Sequence, residues 1–403
     1  MSFTSKRRCL HGTVLVLLAL LGIALGRPAA VYGQIYALPR PDTSQTETFG
    51  VSVAMEGNHI VVGASGENVC GANSGAAYVF ERSENEPWQR VARLTPRDCR
   101  ANAFFGEQVD ISDDRILVSA SSEFFARERS NRAYIFERRD TAWVETARLT
   151  SRSTEEEGSF AAGVALDGNR AVVTTSGSPD GAYGGAVYIF AYDPATDTWT
   201  QTDRMTARRG TEAGVLGGRV ALSGDRVAVA ASTYFDEDPG SVYLFEQTEA
   251  GTWRERSRVG EVDDFFISLS LHNDTLLVGE SKAGDDASGE ATLYARTGSG
   301  AWNRIKRLRP STPYESGAFG STVSLNGRWA LVTGYDEQLG QDVNIDRVVY
   351  VYRRAEDGTW AQRTIIDIGE VAFGAAIDQD DDRAVISSVP EDAPGAVYVV
   401  HLH

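Results

Sequence analysis

The chain has 403 residues, with 39 Lys and Arg against 56 Asp and Glu, three Cys, 40 Gly and an apolar fraction of 42%. That apolar content and mixture of charges exclude a disordered chain, and three cysteines exclude a disulfide-dense miniprotein. A formal net charge of −17 speaks against nucleic acid as a partner, because phosphate binding needs a basic surface.

Residues 1–33 carry Lys6, Arg7 and Arg8, then the apolar run GTVLVLLALLGIALG at 12–26, then small residues up to Gly33. A basic start, a hydrophobic middle and a small-residue end are the layout of a secretory signal, with the cut predicted after Gly33. An uncleaved anchor is the alternative, but the run is short of the roughly 20 apolar residues that span a bilayer, so no membrane span is expected after cleavage. The expected location is extracytoplasmic, whether periplasmic, cell-surface or secreted. The segment holds four basic residues, Lys6, Arg7, Arg8 and Arg27, and no acid, which leaves 35 basic against 56 acidic residues and a net charge of −21 on 34–403. Such a surface repels polyanions and anionic membranes and favours cationic partners or divalent ions.

From Phe49 onward the sequence repeats itself. Seven units begin FGVSVAMEGNHIVVGAS at Phe49, FGEQVDISDDRILVSAS at Phe105, FAAGVALDGNRAVVTTS at Phe160, LGGRVALSGDRVAVAAS at Leu216, FFISLSLHNDTLLVGES at Phe265, FGSTVSLNGRWALVTGY at Phe319 and FGAAIDQDDDRAVISSV at Phe373. Their starts lie 56, 55, 56, 49, 54 and 54 residues apart. Each unit continues to an aromatic, β-branched run such as AYVF at 77–80 or VYIF at 187–190. Six units then place one tryptophan, at Trp88, Trp143, Trp199, Trp253, Trp302 and Trp360, with Trp329 off the pattern. A repeated tryptophan marks a packing position rather than a ligand platform.

Within a unit, alternation as in Val51, Val53 and Met55 meets a tight turn of the type EGN or DGN, which is the mark of a hairpin. Four antiparallel strands per unit, seven units and no helical period predict an all-β, seven-bladed β-propeller over 34–403. The last unit ends on its third strand at VYVVHLH, while Ile35 to Leu38 stand where other units are preceded by an outer strand. Those N-terminal residues are therefore predicted to complete the seventh blade.

The FG starts, the second strands ending in small residues (VVGAS at 61–65) and the aromatic third strands resemble the FG-GAP repeat family, which includes the seven-bladed propeller of integrin α-subunit heads. The resemblance spans 49–403 and implies an extracytoplasmic recognition or scaffolding propeller that meets ligands through loops on one face. Calcium-binding members carry an Asp-rich loop between the first and second strands. Here those connections are turns of about three residues, and no unit has the family's proline after Gly-Ala. The nearest approach to a calcium loop is Asp378, Asp380, Asp381 and Asp382, of which 378, 380 and 382 are expected to point the same way along a strand. The turn reads as solvated, and no cofactor is expected, with calcium there the alternative.

No catalytic constellation stands out. Among the histidines after residue 33, His59 and His272 fall at inner-hairpin turns, and His401 and His403 at the tail, so neither a Ser-His-Asp set nor a metal cluster is suggested beyond a chance metal contact at the tail pair. Cys70 and Cys99 fall in connections of the same parity, which emerge on one face of a propeller, and a Cys70–Cys99 disulfide is predicted against two free thiols. The long connections between second and third strands should crowd that same rim. Phe124, Phe125, Arg127, Tyr234, Phe235 and Tyr335 are the candidate contact residues, flanked by Asp236, Glu237, Asp238, Asp336 and Glu337; tucking of each ring under its own loop is the alternative. The expected function is an exported, non-enzymatic module that binds a protein or matrix polymer through this rim. Two other readings remain: a hydrolase or lyase with a site in the central channel, and a self-associating surface protein.

Overall fold

The computed structural model describes residues 35–41, 48–83, 86–121, 132–152, 159–176, 185–206, 215–232, 240–262, 267–284, 287–310, 317–336 and 347–403. The predicted signal segment and its cleavage site lie outside them. Among the described residues every regular element is a strand, and the strands form seven four-stranded antiparallel sheets.

Four strand classes recur. The inner strands are Phe49–Glu56, Phe105–Ser112, Ser159–Asp167, Val215–Ser223, Ile267–His272, Val323–Leu325 and Phe373–Asp380. Each returns through a tight turn into a second strand: His59–Ala64, Arg115–Ala120, Arg170–Ser176, Arg226–Ser232, Thr275–Glu280, Trp329–Tyr335 and Arg383–Ser388. The third strands are Ala76–Glu81, Arg132–Arg139, Ala186–Asp193, Gly240–Gln247, Glu290–Arg296, Arg347–Arg354 and Ala396–His401. Six outer strands follow in order, Gln89–Leu94, Ala142–Leu149, Thr198–Met205, Trp253–Val262, Trp302–Leu308 and Trp360–Ile366. The seventh blade takes its outer strand from the other end of the chain. Ile35, Tyr36 and Ala37 pair with Val400, Val399 and Tyr398, and the Leu38 N–H donates to the Val397 carbonyl at 2.8 Å.

The apolar core is not one body but seven layers, each between neighbouring blades. Ala54, Val61, Ala77 and Val79 of the first blade pack with Phe105, Ile116, Val118 and Tyr134 of the second. Val385, Val397 and Val399 of the seventh pack with Phe49, Ile60, Val62 and Phe80 of the first, so the ring closes by the same means that builds it. In blades one, two, three, six and seven the opening phenylalanine stands edge-on to the third-strand tyrosine, with ring centroids 5.8 Å apart for Phe49 and Tyr78, 5.6 Å for Phe105 and Tyr134 and 5.2 Å for Phe319 and Tyr350. Such geometry adds about 1 kcal/mol beyond area burial. Trp88, Trp253, Trp302 and Trp360 are buried as expected of packing positions, while Trp143 and Trp199 are half-buried. Trp329 is the most enclosed of all. It opens the second strand of blade six, and its indole N–H donates to Asp382 of blade seven at 2.8 Å.

The glycine after phenylalanine explains how closely the blades approach. Gly106 has φ 92°, a backbone conformation that a side chain makes costly, and a Cβ on it would run into the Ala76 carbonyl of the preceding blade. The seam is reciprocal: a Cβ on Gly75, just before the third strand of blade one, would strike the Phe105 carbonyl, and Gly75 and Phe105 form a parallel bridge. Blade three departs with Phe160-Ala161, and Ala161 still takes φ 64°. The conformation is therefore imposed by the seam and not by the glycine.

In six blades the outer strand carries a bulge at a recurring place, between the partners of Val79/Phe80, Ile135/Phe136, Ile189/Phe190, Leu244/Phe245, Leu293/Tyr294 and Val351/Tyr352, and blade four has a second between the partners of Gly240 and Val242. Val91 and Ile305, two of the few exposed large apolar residues, are the extra residues of such bulges. A bulged edge resists pairing with another chain, so the exposure of these two residues follows from protection of the edge.

Two glycines with nearly equal φ separate seam packing from backbone strain. Gly251 (φ 80°) has nothing within 4 Å of a built Cβ, whereas Gly289 (φ 86°) would drive one into the Phe319 carbonyl. Gly251→Ala should cost about 1–2 kcal/mol from conformation alone, and Gly289→Ala about 1–3 kcal/mol more from overpacking. Urea unfolding of the two variants measures the difference, and equal losses would show that the seam yields.

Candidate functional site: the loop rim and the central channel

The two ends of the ring differ. At one end, the tight turns between inner and second strands are tied to their neighbours by a repeating contact. In six of the seven blades a side chain at the end of the inner strand or just after it reaches the turn backbone of the next blade. Ser112 Oγ accepts from Gly168 N at 2.9 Å, Ser223 Oγ from Asn273 N at 2.9 Å and Asp380 from Gly57 N at 2.7 Å; Glu56 accepts from Asp113 N, and Asn326 Nδ2 donates to the Asp381 carbonyl at 2.9 Å. Arginines add to this belt: Arg138 bonds Glu81 at 3.1 Å and His59 at 2.9 Å, and Arg328 bonds both oxygens of Asp382 at 3.0 and 3.1 Å. His59 is thus a seam residue, held between Glu81, Arg138 and an edge-on Trp143, and burial lowers its pKa.

The acidic turn of blade seven belongs to this belt. Asp378 and Asp380 both face blade one, accepting from Met55 N and Gly57 N at 2.7 Å each. Asp382 does not join them, in contrast to the expectation from alternation. The turn intervenes at Asp381, which has φ 50°, and Asp382 faces blade six, where Arg328 and Trp329 engage it. Among the described residues no group of three or more His, Cys, Asp and Glu could hold a metal ion. His401 stacks on His403 with ring centroids 6.3 Å apart and meets Tyr36 edge-on, so this pair caps the closing strand.

The other end of the ring carries the long connections. Cys70 and Cys99 are joined there as a disulfide with Cα atoms 6.2 Å apart. The bond reinforces a backbone ladder between the two connections, with Asn102 N donating to the Ala72 carbonyl at 2.7 Å and Phe104 N to that of Asn73 at 3.0 Å. Beneath it, buried Glu67 accepts from the Tyr78 hydroxyl at 2.5 Å, which raises the tyrosine pKa along with its burial. Asp98 is a second hub of this rim, accepting from the Tyr134 hydroxyl at 2.9 Å and pairing with Arg132 and with Arg148 at 3.1 Å.

Of the candidate contact residues, Phe124, Phe125, Arg127, Tyr234 and Phe235 lie outside the described residues, as do Asp236, Glu237, Asp238 and Glu337. Their loops spring from Ala120 and Arg132, from Ser232 and Gly240, and from Asp336 and Arg347. Tyr335 is described and half-buried at the base of its loop. Its N–H donates to the Gly317 carbonyl at 2.7 Å, its carbonyl accepts from the Tyr350 hydroxyl at 3.2 Å, and the Arg347 guanidinium lies 5.9 Å from its ring centroid. Asp336 beside it is buried.

The inner strands that line the axis also carry polar groups. Asp110 accepts from Leu166 N of blade three at 2.6 Å and from Ile111 N at 2.8 Å. Walled in by neighbouring strands but open to water along the axis, its carboxyl is pushed up to about 8 by desolvation, against those hydrogen bonds and with the Asp378 and Glu56 charges adding to the rise. Desolvation likewise brings Asp378 to about 7, with the nearby Asp380 and Glu56 charges adding to it. Gln108 bridges to Ala162 O and Val164 N at 2.7 and 3.2 Å. Arg219 of blade four lies on the same wall; burial lowers its pKa and the attraction of Glu107 opposes this. The signal was present in the seven aligned units. Positions three, five and seven after the opening residue are polar or small, and positions four and six are apolar in all but Gln379.

These features define a closed seven-bladed β-propeller with one tied face and one loop-bearing face. Four segments, 33–80, 88–136, 143–190 and 199–245, match the family described as FG-GAP repeat, and the chain belongs to that family. Each match starts on or just before an outer strand and ends in the third strand of the following blade, so the repeat is out of phase with the blade. The first match accordingly takes in Ile35–Ala37, the strand that closes the ring. No curated protein matches the sequence.

Two outcomes are expected. The disulfide spans 29 residues, for which loop closure gives about 3–4 kcal/mol, so Cys99→Ser should lower stability by that order. Alkylation of two sulfurs without prior reduction, read by intact mass, would refute the pairing. Second, Asp110 and Asp378 hold protons in the folded chain at pH values where the unfolded chain, with carboxyls near 4, has released them. Stability contributed by the protonated groups is therefore lost as pH rises from about 4 to about 8. The slope of unfolding free energy against pH should flatten in Asp110→Asn/Asp378→Asn, whatever the variant's absolute stability; an unchanged slope would place the titration elsewhere.

Proposed function

We propose that the protein is an exported, non-enzymatic recognition module that binds a protein or an extracellular polymer through the loop-bearing rim. The asymmetry of the ring carries this reading. On the tied face the inner-strand caps already engage the turn N–H groups, so little free backbone is left for a partner. On the opposite face a rigid platform, braced by the Cys70–Cys99 bond and the Asp98 hub, presents connections as long as 65–75 and 336–346. Large irregular loops on a rigid scaffold are where binding residues concentrate. Export agrees with the disulfide, since such bonds persist in oxidising compartments, and among the described residues no helix is long and apolar enough to cross a membrane.

A channel hydrolase or lyase is the second reading, favoured by the two high-pKa carboxyls, Asp110 and Asp378. Both are engaged by backbone N–H groups of neighbouring strands, which supports a role in joining blades. The two readings separate by experiment. Replacing Phe124, Phe125, Tyr234 and Phe235 by alanine should weaken capture of a partner from envelope and medium of the native organism at least tenfold and leave the melting temperature unchanged. Unaltered capture would remove the rim from consideration. Capture lost instead in Asp110→Asn/Asp378→Asn, together with substrate turnover by the parent protein, would favour the enzyme.

A further inference from the structure

Charge in this ring is sorted by radius. The inner strands carry six acidic residues and one basic residue, Arg219. The seven outer strands carry eleven basic residues and four acidic ones, opposite in sign to the chain as a whole. Part of this girdle has a structural cause. Arg148, Arg204 and Arg258 each lie across the third-strand tyrosine of their own blade, 5.5 to 5.8 Å from its ring centroid. Charge on an edge strand also deters edge-to-edge pairing, but either sign would serve, and a bulge already interrupts these edges.

Blades four and five exceed what those causes require. The outer strand of blade five exposes Asn303 to Arg307 without interruption. Among the described residues neither Arg304 nor Lys306 has an ion-pair partner, and Lys306 is one of only three lysines in the chain. Arg307 and Arg309 share one buried carboxylate, Glu290, at 3.0 and 2.9 Å, and remain 49% and 62% exposed. On blade four, exposed Arg256 is 3.9 Å from Glu246, which Arg296 already holds at 2.7 Å. The result is a row of under-neutralised cations spaced about 3–7 Å along an extended strand, with exposed Ile305 among them.

We propose that this outer edge of blades four and five binds a linear anionic polysaccharide, at a site distinct from the loop rim. A row of cations suits an extended polymer and not a compact anion, which needs convergent donors. The sparse charge of a polyuronate fits better than that of duplex DNA, whose phosphates fall every 1.7 Å or so and would be repelled by the acidic remainder. The repulsion of polyanions expected from net charge alone is reversed locally, because screening confines each charge to about 8–10 Å at ordinary ionic strength.

The test uses the purified protein and immobilised polygalacturonate, with dextran as the neutral polymer, across rising NaCl. Binding should be retained at low salt, be absent on dextran, and weaken at least tenfold in Arg256→Gln/Arg304→Gln/Lys306→Gln, with the salt slope reduced by about two to three. The triple Arg40→Gln/Arg90→Gln/Arg363→Gln removes equal charge from blades seven, one and six and should change binding less than twofold. Arg256→Lys/Arg304→Lys should restore it. Equal weakening in the two glutamine triples would reduce the effect to net charge and overturn the site. So would absence of binding at low salt, or tighter binding to phosphatidylglycerol vesicles or duplex DNA than to polygalacturonate at the same salt.

Discussion

The backbone-to-backbone docking of each inner strand on the preceding blade is the constraint from which the rest of the ring follows. It demands that the residue facing the incoming glycine carbonyl be small, and the second strands answer with Gly63, Ser119, Thr174, Gly279, Thr333 and Ser387 at the same position. The choice among them is not free. Blade one has Gly63 there and lets Ser52 of the inner strand donate to the Gly106 carbonyl at 2.9 Å. Blade three has glycine in the inner strand, Gly163, and Thr174 of the second strand bonds the Gly217 carbonyl instead. The hydroxyl comes from either strand, but the carbonyl is met in both, as a buried acceptor requires.

Once the seam is fixed, the two faces acquire different freedoms. A turn on the tied face must place its N–H where the preceding inner strand can accept it, so its length is held to two or three residues. The opposite face carries the connections that leave the second strand after its small residue. Length and composition there can vary without disturbing the blades, as the change from 65–75 in blade one to 389–395 in blade seven shows. A disulfide in the first of these connections fits its place. It joins two segments that the ladder of Asn102 and Phe104 already aligns, in a region with few apolar contacts to hold it.

Architecture was legible in the sequence because it is written seven times. Spacing, alternation and the tryptophan column fix blade number and strand order, and the orphan segment at Ile35–Leu38 follows from counting strands. Chemistry specific to one blade was not legible in the same way. Asp110 and Asp378 share a column that otherwise holds Ala or Ser, and Arg219 a column that otherwise holds Ser, Gln, Gly, Thr or Ala, so a reading by majority passes over them. Asp382 defeats alternation because the register is reset at a turn residue with positive φ. Trp329 looked stray since it replaces the Arg, His or Thr that opens other second strands, yet it lies in the same seam and finds the same kind of acidic partner.

The sorting of charge has two origins, and separating them shows what the fold does not require. Near the axis the seams offer backbone N–H groups, so side chains there must accept, and carboxylates or hydroxyls are selected: Asp110, Ser112, Ser268, Asp378 and Asp380 all do this. At the circumference the third-strand tyrosines offer ring faces and hydroxyls, and arginine satisfies both, as Arg204 does with Tyr188. Both rules follow from packing and would produce an acidic axis and a modestly basic girdle in any chain built this way. Neither rule accounts for Arg304 or Lys306: they stand across from Tyr294 and Leu293, whereas the column that elsewhere holds the tyrosine under an arginine is Thr292 in blade five, across from Arg307. Exposed cations that neither rule explains, and that no carboxylate among the described residues pairs with, need a reason outside the blade.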